Sequence, residues 1–384
     1  MINRFMEEHI TPYYAIDKAK LRSNCEILAG VQERTGCRIL LAQKAFSAYD
    51  TYPLIAEYLC GTEASGLYEA KLGHECMPNK ECHVFSAAFR DDEIEEIFEN
   101  ADHIVFNSPS QLARYGSRAK AQGLSVGLRI NPECSTQEGH EIYDPCARGS
   151  RLGTTRQQWD ELMSPELINI LDGIHFHTLC EQGSEDLETT VEAVIRTFGD
   201  VLKGLKWINL GGGHHITKKN YNISKLEGVI NQLTTAFGLT VYLEPGEAVA
   251  LDAGYLVTSV LDIVQNADDK IAILDMSAAC HAPDVIEMPY QPPLYKASTD
   301  NGAYGYILAG PTCLAGDVVG RYFFENELKI GQRLAFEDMA IYSMCKNNTF
   351  NGMKLPDICL IEEDGKLTTL KSFGYQDFKY RLGM

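Results

Sequence analysis

The sequence predicts a chain of two parts, an α/β plus β protein in which a (β/α)8 TIM-like barrel precedes a C-terminal, mainly antiparallel β domain. Eight short apolar runs alternate with amphipathic stretches between residues 38 and 243, a pattern typical of strand and helix units around a parallel sheet. Beyond Gly246 the pattern changes to short runs of Val, Tyr, Ile and Thr broken by Gly, Pro and Asp, which favours antiparallel strands. Eight strands favour a closed barrel, although an open doubly wound sheet has the same periodicity.

The elements follow in chain order. An extended segment at 11–17 and a helix open the chain, and we expect residues 1–30 to pair with the β domain. The barrel is predicted over residues 31–250 and a β-sandwich-like domain over 251–384. Barrel strands are predicted at 38–43, 63–67, 83–87, 103–106, 126–130, 173–176, 207–210 and 241–243, with helices at 50–60, 91–99, 110–122 and 184–202.

Charge and cysteine content argue against several classes of protein. The 384 residues carry a formal net charge of -19, which argues against nucleic acid and anionic membranes as partners and is compatible with a small cationic substrate. The 12 cysteines show no Cys-x-x-Cys spacing, so we expect reduced thiols and no metal site among them. An acidic N-terminal segment and the lack of a long apolar run argue against a signal peptide or a membrane span. We therefore expect a cytoplasmic protein.

A single lysine, Lys44, stands at the carboxyl end of the first predicted barrel strand. Barrel enzymes carry their active sites at this end of the strands. An ammonium group in a half-apolar pocket loses its proton more readily, and the free amine can then form a Schiff base with an aldehyde. On this segment alone, the better interpretation is a lysine whose charged end reaches solvent.

Other polar residues end the remaining strands, namely Ser65, Glu69, Asn131, His177, His214 and Glu244. The loop Gly211-Gly212-Gly213 also follows a strand, and its backbone N–H groups could bind a phosphate. A tight turn between strand and helix explains the loop equally well. The glycine spacing does not match the dinucleotide-binding fingerprint.

Two further features allow competing interpretations. His175 and His177 alternate along one strand, and with His214 and His215 they could form a zinc site of the kind found in barrel hydrolases. For His175 alone, a hydrogen-bonded core histidine is the better interpretation. Glu244 is costly to bury unless it pairs with a cation or with a protonated group such as a pyridinium N–H; a salt bridge at the domain junction is the alternative.

The β domain contains one loop with reactive side chains. Residues 310–317 combine glycines and a proline with Cys313 and Asp317, and shaped loops often carry function. A lone cysteine is more often an inert small apolar residue. The neighbouring carboxylate favours a site only modestly.

Seven segments resemble, in their order, the pyridoxal-phosphate decarboxylases of the alanine-racemase-like fold (fold type III). These segments cover nearly the whole chain and are 43–46, 64–69, 175–177, 211–213, 244–246, 310–317 and 338–342. Within that family, residues 176–181, 281–290 and Glu247 look like the carboxynorspermidine (carboxyspermidine) decarboxylases. Other members usually have arginine where Glu247 stands, so no contact between an arginine and the phosphate is carried over.

The resemblance implies pyridoxal 5'-phosphate as the cofactor and assigns it a set of residues. Lys44 would hold it through a Schiff base, His177 would stack on its ring, and Glu244 would pair with the ring nitrogen. The resemblance further implies a phosphate site formed by Gly211, Gly212, Gly213, Gly246 and the Tyr342 hydroxyl. It places one basic residue, Arg151, near the cofactor. It implies no metal.

The same resemblance implies a substrate and an assembly. The substrate would be carboxynorspermidine and/or carboxyspermidine, decarboxylated to norspermidine or spermidine in polyamine biosynthesis. Family members are homodimers with shared active sites, so Cys313 and Asp317 would come from the partner subunit. Cys313 would return a proton to Cα. Asp284, Asp317 and Glu244 would bind the substrate, with Asp275 as a further candidate that also has the position of a strand cap.

Other functions remain open at the level of sequence. A related decarboxylase acting on diaminopimelate, ornithine or arginine would share the cofactor residues. A non-catalytic pyridoxal-phosphate carrier and a zinc hydrolase are the candidates from other classes. Norspermidine and spermidine differ by one methylene, which is worth little in a pocket, so the sequence does not rank them.

Overall fold

The computed structural model describes residues 2–137 and 144–383. Its contacts divide the chain into two compact units, one formed by Asn24–Val249 and the other by Met1–Ser23 together with Ala250–Met384. The chain begins with α1 (Ile2–Phe5), β1 (Tyr13–Asp17) and α2 (Lys18–Thr35). Among the described helices, none combines the length and the apolar character needed to span a bilayer.

The unit Asn24–Val249 contains a closed barrel of eight parallel strands. This closure confirms the predicted barrel and excludes the open sheet. Each predicted strand overlaps an observed one: β2 (Arg38–Ala42), β3 (Gly61–Ala64), β4 (Glu81–Phe85), β5 (His103–Phe106), β6 (Ser125–Arg129), β7 (Gly173–His175), β8 (Trp207–Asn209) and β9 (Thr240–Leu243).

Helices follow most of these strands because their apolar residues recur at intervals of three and four. In the helix at 184–202, Leu187, Val191, Val194 and Phe198 form one buried face. The helices of this part of the chain are α3 (Tyr52–Ala56), α4 (Leu67–Cys76), α5 (Ile94–Glu99), α6 (Pro109–Ala121), α7 (Arg156–Leu162), α8 (Pro165–Ile168), α9 (Ser184–Leu202), α10 (Ile223–Phe237) and α11 (Glu247–Ala250). The predicted 50–60 helix is shorter in the structure, where a 3-10 turn at Tyr49–Thr51 leads into α3.

The amino-terminal end of the barrel is filled by a large aromatic residue, Trp207. A Cβ atom at Gly127 of β6 or at Gly173 of β7 would lie 2.3 Å or 2.1 Å from its indole ring, so only glycine fits at these two positions. The indole N–H donates to the Ser125 hydroxyl at 2.8 Å. This packing closes the barrel interior and leaves the opposite, carboxyl-terminal ends of the strands for a site.

The second unit contains an eight-stranded sheet. Its mainly antiparallel character confirms the prediction from the sequence. Its strand order is β13-β12-β11-β10-β1-β15-β16, and β14 pairs with β10. The β1–β15 and β11–β12 pairs are parallel. The remaining elements are β10 (Gly254–Asn266), β11 (Asp269–Leu274), α12 (Ala278–His281), α13 (Asp284–Glu287), β12 (Tyr304–Ala309), β13 (Val318–Phe324), β14 (Arg333–Glu337), α14 (Ser343–Lys346), β15 (Asp357–Ile361), β16 (Leu367–Lys371) and α15 (Tyr375–Leu382).

Strand β1 lies in the middle of this sheet. It pairs antiparallel with β10 and parallel with β15, and all five of its residues are buried. Because both neighbours are more than 230 residues away in sequence (Tyr13 pairs with Val257 and with Asp357), the N-terminal segment is an integral part of the sheet.

Candidate active site

A pocket of about 340 Å³ lies in the barrel unit. Its lining residues come from the carboxyl ends of β2, β3, β4, β6, β7 and β9 and from the loops that follow them. Six residues named from the sequence line it together, namely Lys44, Ser65, Arg151, His175, His177 and Glu244. Unanticipated neighbours include Glu63, Phe85 and Arg129.

Lys44 lies in the turn directly after β2 and is half-buried. The preceding residue, Gln43, is fully buried and fixes this turn, since its amide nitrogen donates to the Glu69 carbonyl at 2.9 Å and its amide oxygen accepts from the Tyr52 hydroxyl at 3.1 Å. Within residues 2–137 and 144–383, the Lys44 amine has no hydrogen-bond or ion-pair partner. The amine is therefore held at the pocket and is available to react.

Glu244 is 6% exposed and directly follows β9. One carboxylate oxygen accepts from the Asn209 amide at 2.5 Å, and the other lies 3.1 Å from Nε2 of His175. Burial alone would raise the pKa of Glu244, but its electrostatic interaction and hydrogen bond with His175, followed by the charges of His83 and Lys44, outweigh that effect and lower it. Burial lowers the pKa of His175, and its Nε2–H group donates to the ionised Glu244.

A second buried carboxyl group, Glu63, lines the same pocket and is 3% exposed. Burial, and then the negative charge of Glu244, raise the pKa of Glu63. Its Oε2 atom makes no hydrogen bond with the described residues. The pocket therefore contains one ionised and one protonated carboxyl group, because two like charges in a low-dielectric site cannot both form cheaply.

His177 presents a fixed tautomer to the pocket. Its Nδ1 accepts a hydrogen bond from the Gly212 amide at 2.8 Å, so the ring proton is on Nε2. Burial, followed by the positive charges of Lys44 and Arg129, holds the pKa of His177 well below its usual value. The ring is neutral and can stack on a flat ligand.

Arg129 supports this part of the pocket from β6. Its guanidinium donates to the His177 carbonyl at 3.0 Å and lies 4.6 Å from the centre of the Phe85 ring. Burial lowers the pKa of Arg129 to about 10, which leaves the group charged at neutral pH. This buried cation compensates for the charge of Glu244.

The loop Gly211–Gly213 adopts a conformation that requires glycine. Gly211 and Gly213 have φ values of +70° and +80°, and a Cβ atom at Gly213 would lie 2.1 Å from the Leu179 carbonyl oxygen. The backbone N–H groups of Gly213 and Gly246 have no hydrogen-bond acceptor in the described part of the chain. These amides are available to an anionic ligand.

The remaining predicted residues lie in the sheet unit. Cys313 is exposed. Asp317 is 2% exposed and accepts hydrogen bonds from the Thr312 hydroxyl at 2.6 Å and from the Ala279 amide at 3.3 Å. Asp317 therefore shapes the loop that carries Cys313.

The other three predicted residues of this unit have local roles. Asp275 accepts from the Thr258 hydroxyl at 2.6 Å and the Ser259 amide at 2.9 Å, in the manner of a strand cap. Asp284 forms an ion pair with Lys346. Tyr342 has a left-handed backbone, with φ of 55°, at the start of α14.

The histidines considered for a zinc site have protein partners instead. His175 bonds to Glu244, His177 to Gly212, and His215 to Glu247 at 3.1 Å. Among the described residues, one other group, Glu81, His83 and His103, has possible ligand atoms within 4.8 Å of one another. It lies toward the amino-terminal ends of β4 and β5, where Arg38 already donates to Glu81 at 2.7 Å and the two imidazole rings stack in parallel, 3.9 Å apart.

Sequence reasoning missed Glu63, Arg129 and Asn209 as site residues. Each lies inside a short apolar run that forms a barrel strand. A charged or amide side chain within such a run, close to its carboxyl end, is the signal that could have identified them, because burying it requires a partner.

A barrel pocket lined by an unpaired lysine amine, a buried carboxylate and a histidine contains the groups that an enzyme needs to react with a carbonyl compound through an amine. The family model described as pyridoxal-dependent decarboxylase, C-terminal sheet domain, matches residues 14–340 of this chain. The chain therefore belongs to the pyridoxal-dependent decarboxylase family.

Several relatives are similar over almost their entire length. The carboxynorspermidine/carboxyspermidine decarboxylase of Campylobacter jejuni is 42% identical, over 98% of this chain and 100% of its own. The carboxyaminopropylagmatine decarboxylase of a Synechocystis species is 36% identical, over 97% and 95%. A crystal structure of carboxynorspermidine decarboxylase complexed with norspermidine, also from Campylobacter jejuni, has a TM-score of 0.89 at 40% identity and covers 97% of this chain and 100% of that one.

Proposed function

We propose that this chain is a pyridoxal 5'-phosphate-dependent carboxy-lyase that converts carboxynorspermidine and/or carboxyspermidine to norspermidine or spermidine and CO2. The observation that carries the proposal is the free Lys44 amine in one pocket with the ionised Glu244. Full-length similarity to enzymes of that name supports the choice of substrate.

The pocket residues fit the cofactor. Lys44 supplies an amine for an aldehyde, His177 a neutral ring to stack against the pyridine, and Glu244 a carboxylate for the ring nitrogen. The unpartnered amides of Gly213 and Gly246 suit a phosphate. When bound, pyridoxal phosphate supplies an electron sink for the pair of electrons left at Cα as CO2 departs.

The chain contributes proton placement and orientation. Asn209 and His175 hold Glu244 in its ionised form, so that its carboxylate keeps a proton on the ring nitrogen. Arg129 fixes the backbone of His177 and with it the stacking face. Lys44 would supply the amine that holds the aldehyde of the cofactor in the resting protein and that competes for it with the amines of substrate and product.

Cys313 is proposed to return the proton to Cα, and the protein is proposed to act as a homodimer in which the partner subunit supplies this thiol. Exposure of Cys313 on the sheet unit is compatible with that role. Mixing a Lys44 variant with a Cys313 variant should then restore part of the activity. No recovery from two dimeric variants would contradict shared sites.

The distal ammonium groups of the substrate are proposed to pair with carboxylates. Asp284 is suited to this role because it already pairs with the ammonium group of Lys346, which a polyamine can replace. Asp317 and Asp275 are engaged with neighbouring hydroxyl and amide groups and would bind the substrate only through their remaining acceptor capacity.

A second candidate substrate is carboxyaminopropylagmatine, because the Synechocystis enzyme that acts on it is 36% identical over 97% of this chain. Diaminopimelate, ornithine and arginine are further alternatives within the family. Supplying the carboxylated triamines, carboxyaminopropylagmatine and these amino acids in parallel, and identifying each product, separates the possibilities.

The cofactor assignment is tested at Lys44. The purified protein should absorb in the near-visible region, and Lys44→Ala should lose both this absorbance and the activity. An undiminished band in the variant would contradict the assignment. Stoichiometric zinc without pyridoxal would favour a hydrolase.

A further inference from the structure

A second buried imidazole lies next to the glycine loop and takes no part in the mechanism above. His215 is 7% exposed and follows Gly213 by two residues. Its Nε2 atom lies 3.1 Å from a carboxylate oxygen of Glu247. Its Nδ1 atom is buried and has no hydrogen-bond partner among the described residues.

The pair of His215 and Glu247 joins the two segments whose amides are unpartnered. One segment is the loop after β8, which contains Gly213, and the other is the start of α11, directly after Gly246. A second contact, from the Thr217 hydroxyl to the Ala248 carbonyl at 2.7 Å, joins the same segments. The unpartnered Nδ1 therefore belongs to the same part of the barrel as the two free amides.

A buried nitrogen without a partner costs free energy that a bound ligand can offset. Because Nε2 lies at the carboxylate of Glu247, Nδ1 is the ring nitrogen left to meet a ligand, and an imidazole that carries a proton on each nitrogen donates from both. A ring that donates from Nδ1 near unpartnered backbone amides is suited to bind an anion. In that arrangement the ring lies between Glu247 and the anion.

We propose that His215, oriented by Glu247, donates a hydrogen bond from Nδ1 to the phosphate group of pyridoxal phosphate. This proposal deepens the proposed function and rests on it. It also explains why an acidic residue, Glu247, can follow Gly246 directly at a phosphate site, because this carboxylate contacts the imidazole and not the phosphate.

Binding of two forms of the cofactor to the apoprotein tests this assignment. Pyridoxal phosphate and pyridoxal are each titrated, with near-visible absorbance as the readout, so that they differ only in the phosphate. His215→Ala and His215→Gln should weaken pyridoxal phosphate by about 10- to 100-fold, the loss expected for one charge-assisted hydrogen bond, and change pyridoxal binding less than about 2-fold. Glu247→Gln, which keeps the hydrogen bond but not the charge, should give a smaller selective loss.

Thr217→Ala is the matched control because it removes the other contact between the two segments without removing the imidazole. It should weaken both ligands equally or not at all. Equal losses of both ligands in the two His215 variants, or a selective loss in Thr217→Ala as large as theirs, would overturn the assignment of the imidazole and leave the proposed function standing. Wild-type protein that binds neither ligand would overturn the proposed function and this assignment with it.

Discussion

Replacing Gly213 by alanine should destabilise the barrel and displace the loop that ends β8. Gly213 has φ of +80°, and an added Cβ atom would lie 2.1 Å from the Leu179 carbonyl oxygen and 2.4 Å from the carbonyl carbon. Both obstacles are backbone atoms, which cannot rotate away. The Gly213 carbonyl also accepts the Gln182 N–H at 3.0 Å, so a shift of the loop weakens that hydrogen bond as well.

The expected cost has two independent parts. A left-handed conformation costs an alanine about 1–2 kcal/mol. Moving the Cβ atom from 2.1 Å to beyond the 3.0 Å limit of real contacts requires a backbone shift of about 1 Å, and overpacking of this kind costs about 1–3 kcal/mol. Together these give about 2–5 kcal/mol for Gly213→Ala. Gly212→Ala meets the Glu244 carbonyl oxygen at 2.4 Å without a positive φ, so only the second part applies.

Urea unfolding followed by tryptophan fluorescence measures this cost, because both tryptophans, Trp159 and Trp207, lie in the barrel unit. Gly228→Ala is the control: nothing lies within 4 Å of its Cβ position in α10, and it should stabilise by up to about 1 kcal/mol. The unfolding midpoints should fall in the order Gly228→Ala, wild type, Gly212→Ala, Gly213→Ala. A Gly213→Ala midpoint equal to that of the wild type would refute the reasoning.

Three further outcomes follow from the site and its surroundings. Burial and the neighbouring His83 imidazole lower the pKa of His103 to about 3. The folded barrel therefore binds fewer protons than the unfolded chain between pH 6.5 and 3. The free energy of unfolding should fall as the pH falls through that window, by about 2 kcal/mol at pH 5. Urea titrations at pH 7 and pH 5 should show a smaller loss of unfolding free energy for His103→Phe than for the wild type. The same loss in both proteins would contradict the prediction. Glu244→Gln keeps the shape of the pocket but removes its ionised carboxylate, so CO2 release should slow by at least about 100-fold, and an unchanged rate would show that the charge is not used. Asp317→Ala leaves the Thr312 hydroxyl and the half-buried Ala279 amide without their acceptor and should cost about 1–3 kcal/mol in thermal melts. Cys313→Ala, at an exposed position, should stay within about 0.5 kcal/mol of the wild type in the same measurement.

The barrel could be predicted because each of its strands is a short apolar run followed by a helix, and that alternation is local in sequence. Strand β5 matches its predicted bounds of 103–106, and α9 those of 184–202. The arrangement of the second sheet could not be predicted in the same way. The position of β1 between β10 and β15 depends on pairings across more than 230 residues, and the alternation of side chains along a strand does not identify its partner.

The candidate site was predictable where a reactive residue directly follows an apolar run. Lys44, His177 and Glu244 all have that position and line one pocket. Arg129 was missed because it is the last residue of its strand, where the pattern reads as core. Its partner, the His177 carbonyl, is a backbone atom 48 residues away, and no sequence pattern reveals such a contact.

Glu63 and Glu244 allow a last test of the protonation states in the pocket, because the two buried carboxyl groups are assigned opposite states, Glu244 ionised and Glu63 protonated. Burial and the charge of Glu244 raise the pKa of Glu63, so Glu63 is neutral and glutamine is close to it in both shape and charge. Glu63→Gln should therefore leave CO2 release within about 10-fold of the wild type at neutral pH, while Glu244→Gln loses at least about 100-fold. Equal losses in the two variants would show that Glu63 is ionised as well, or that its proton is used in the reaction. Such a result would overturn the assignment of opposite protonation states, on which the proposed role of the Glu244 carboxylate depends.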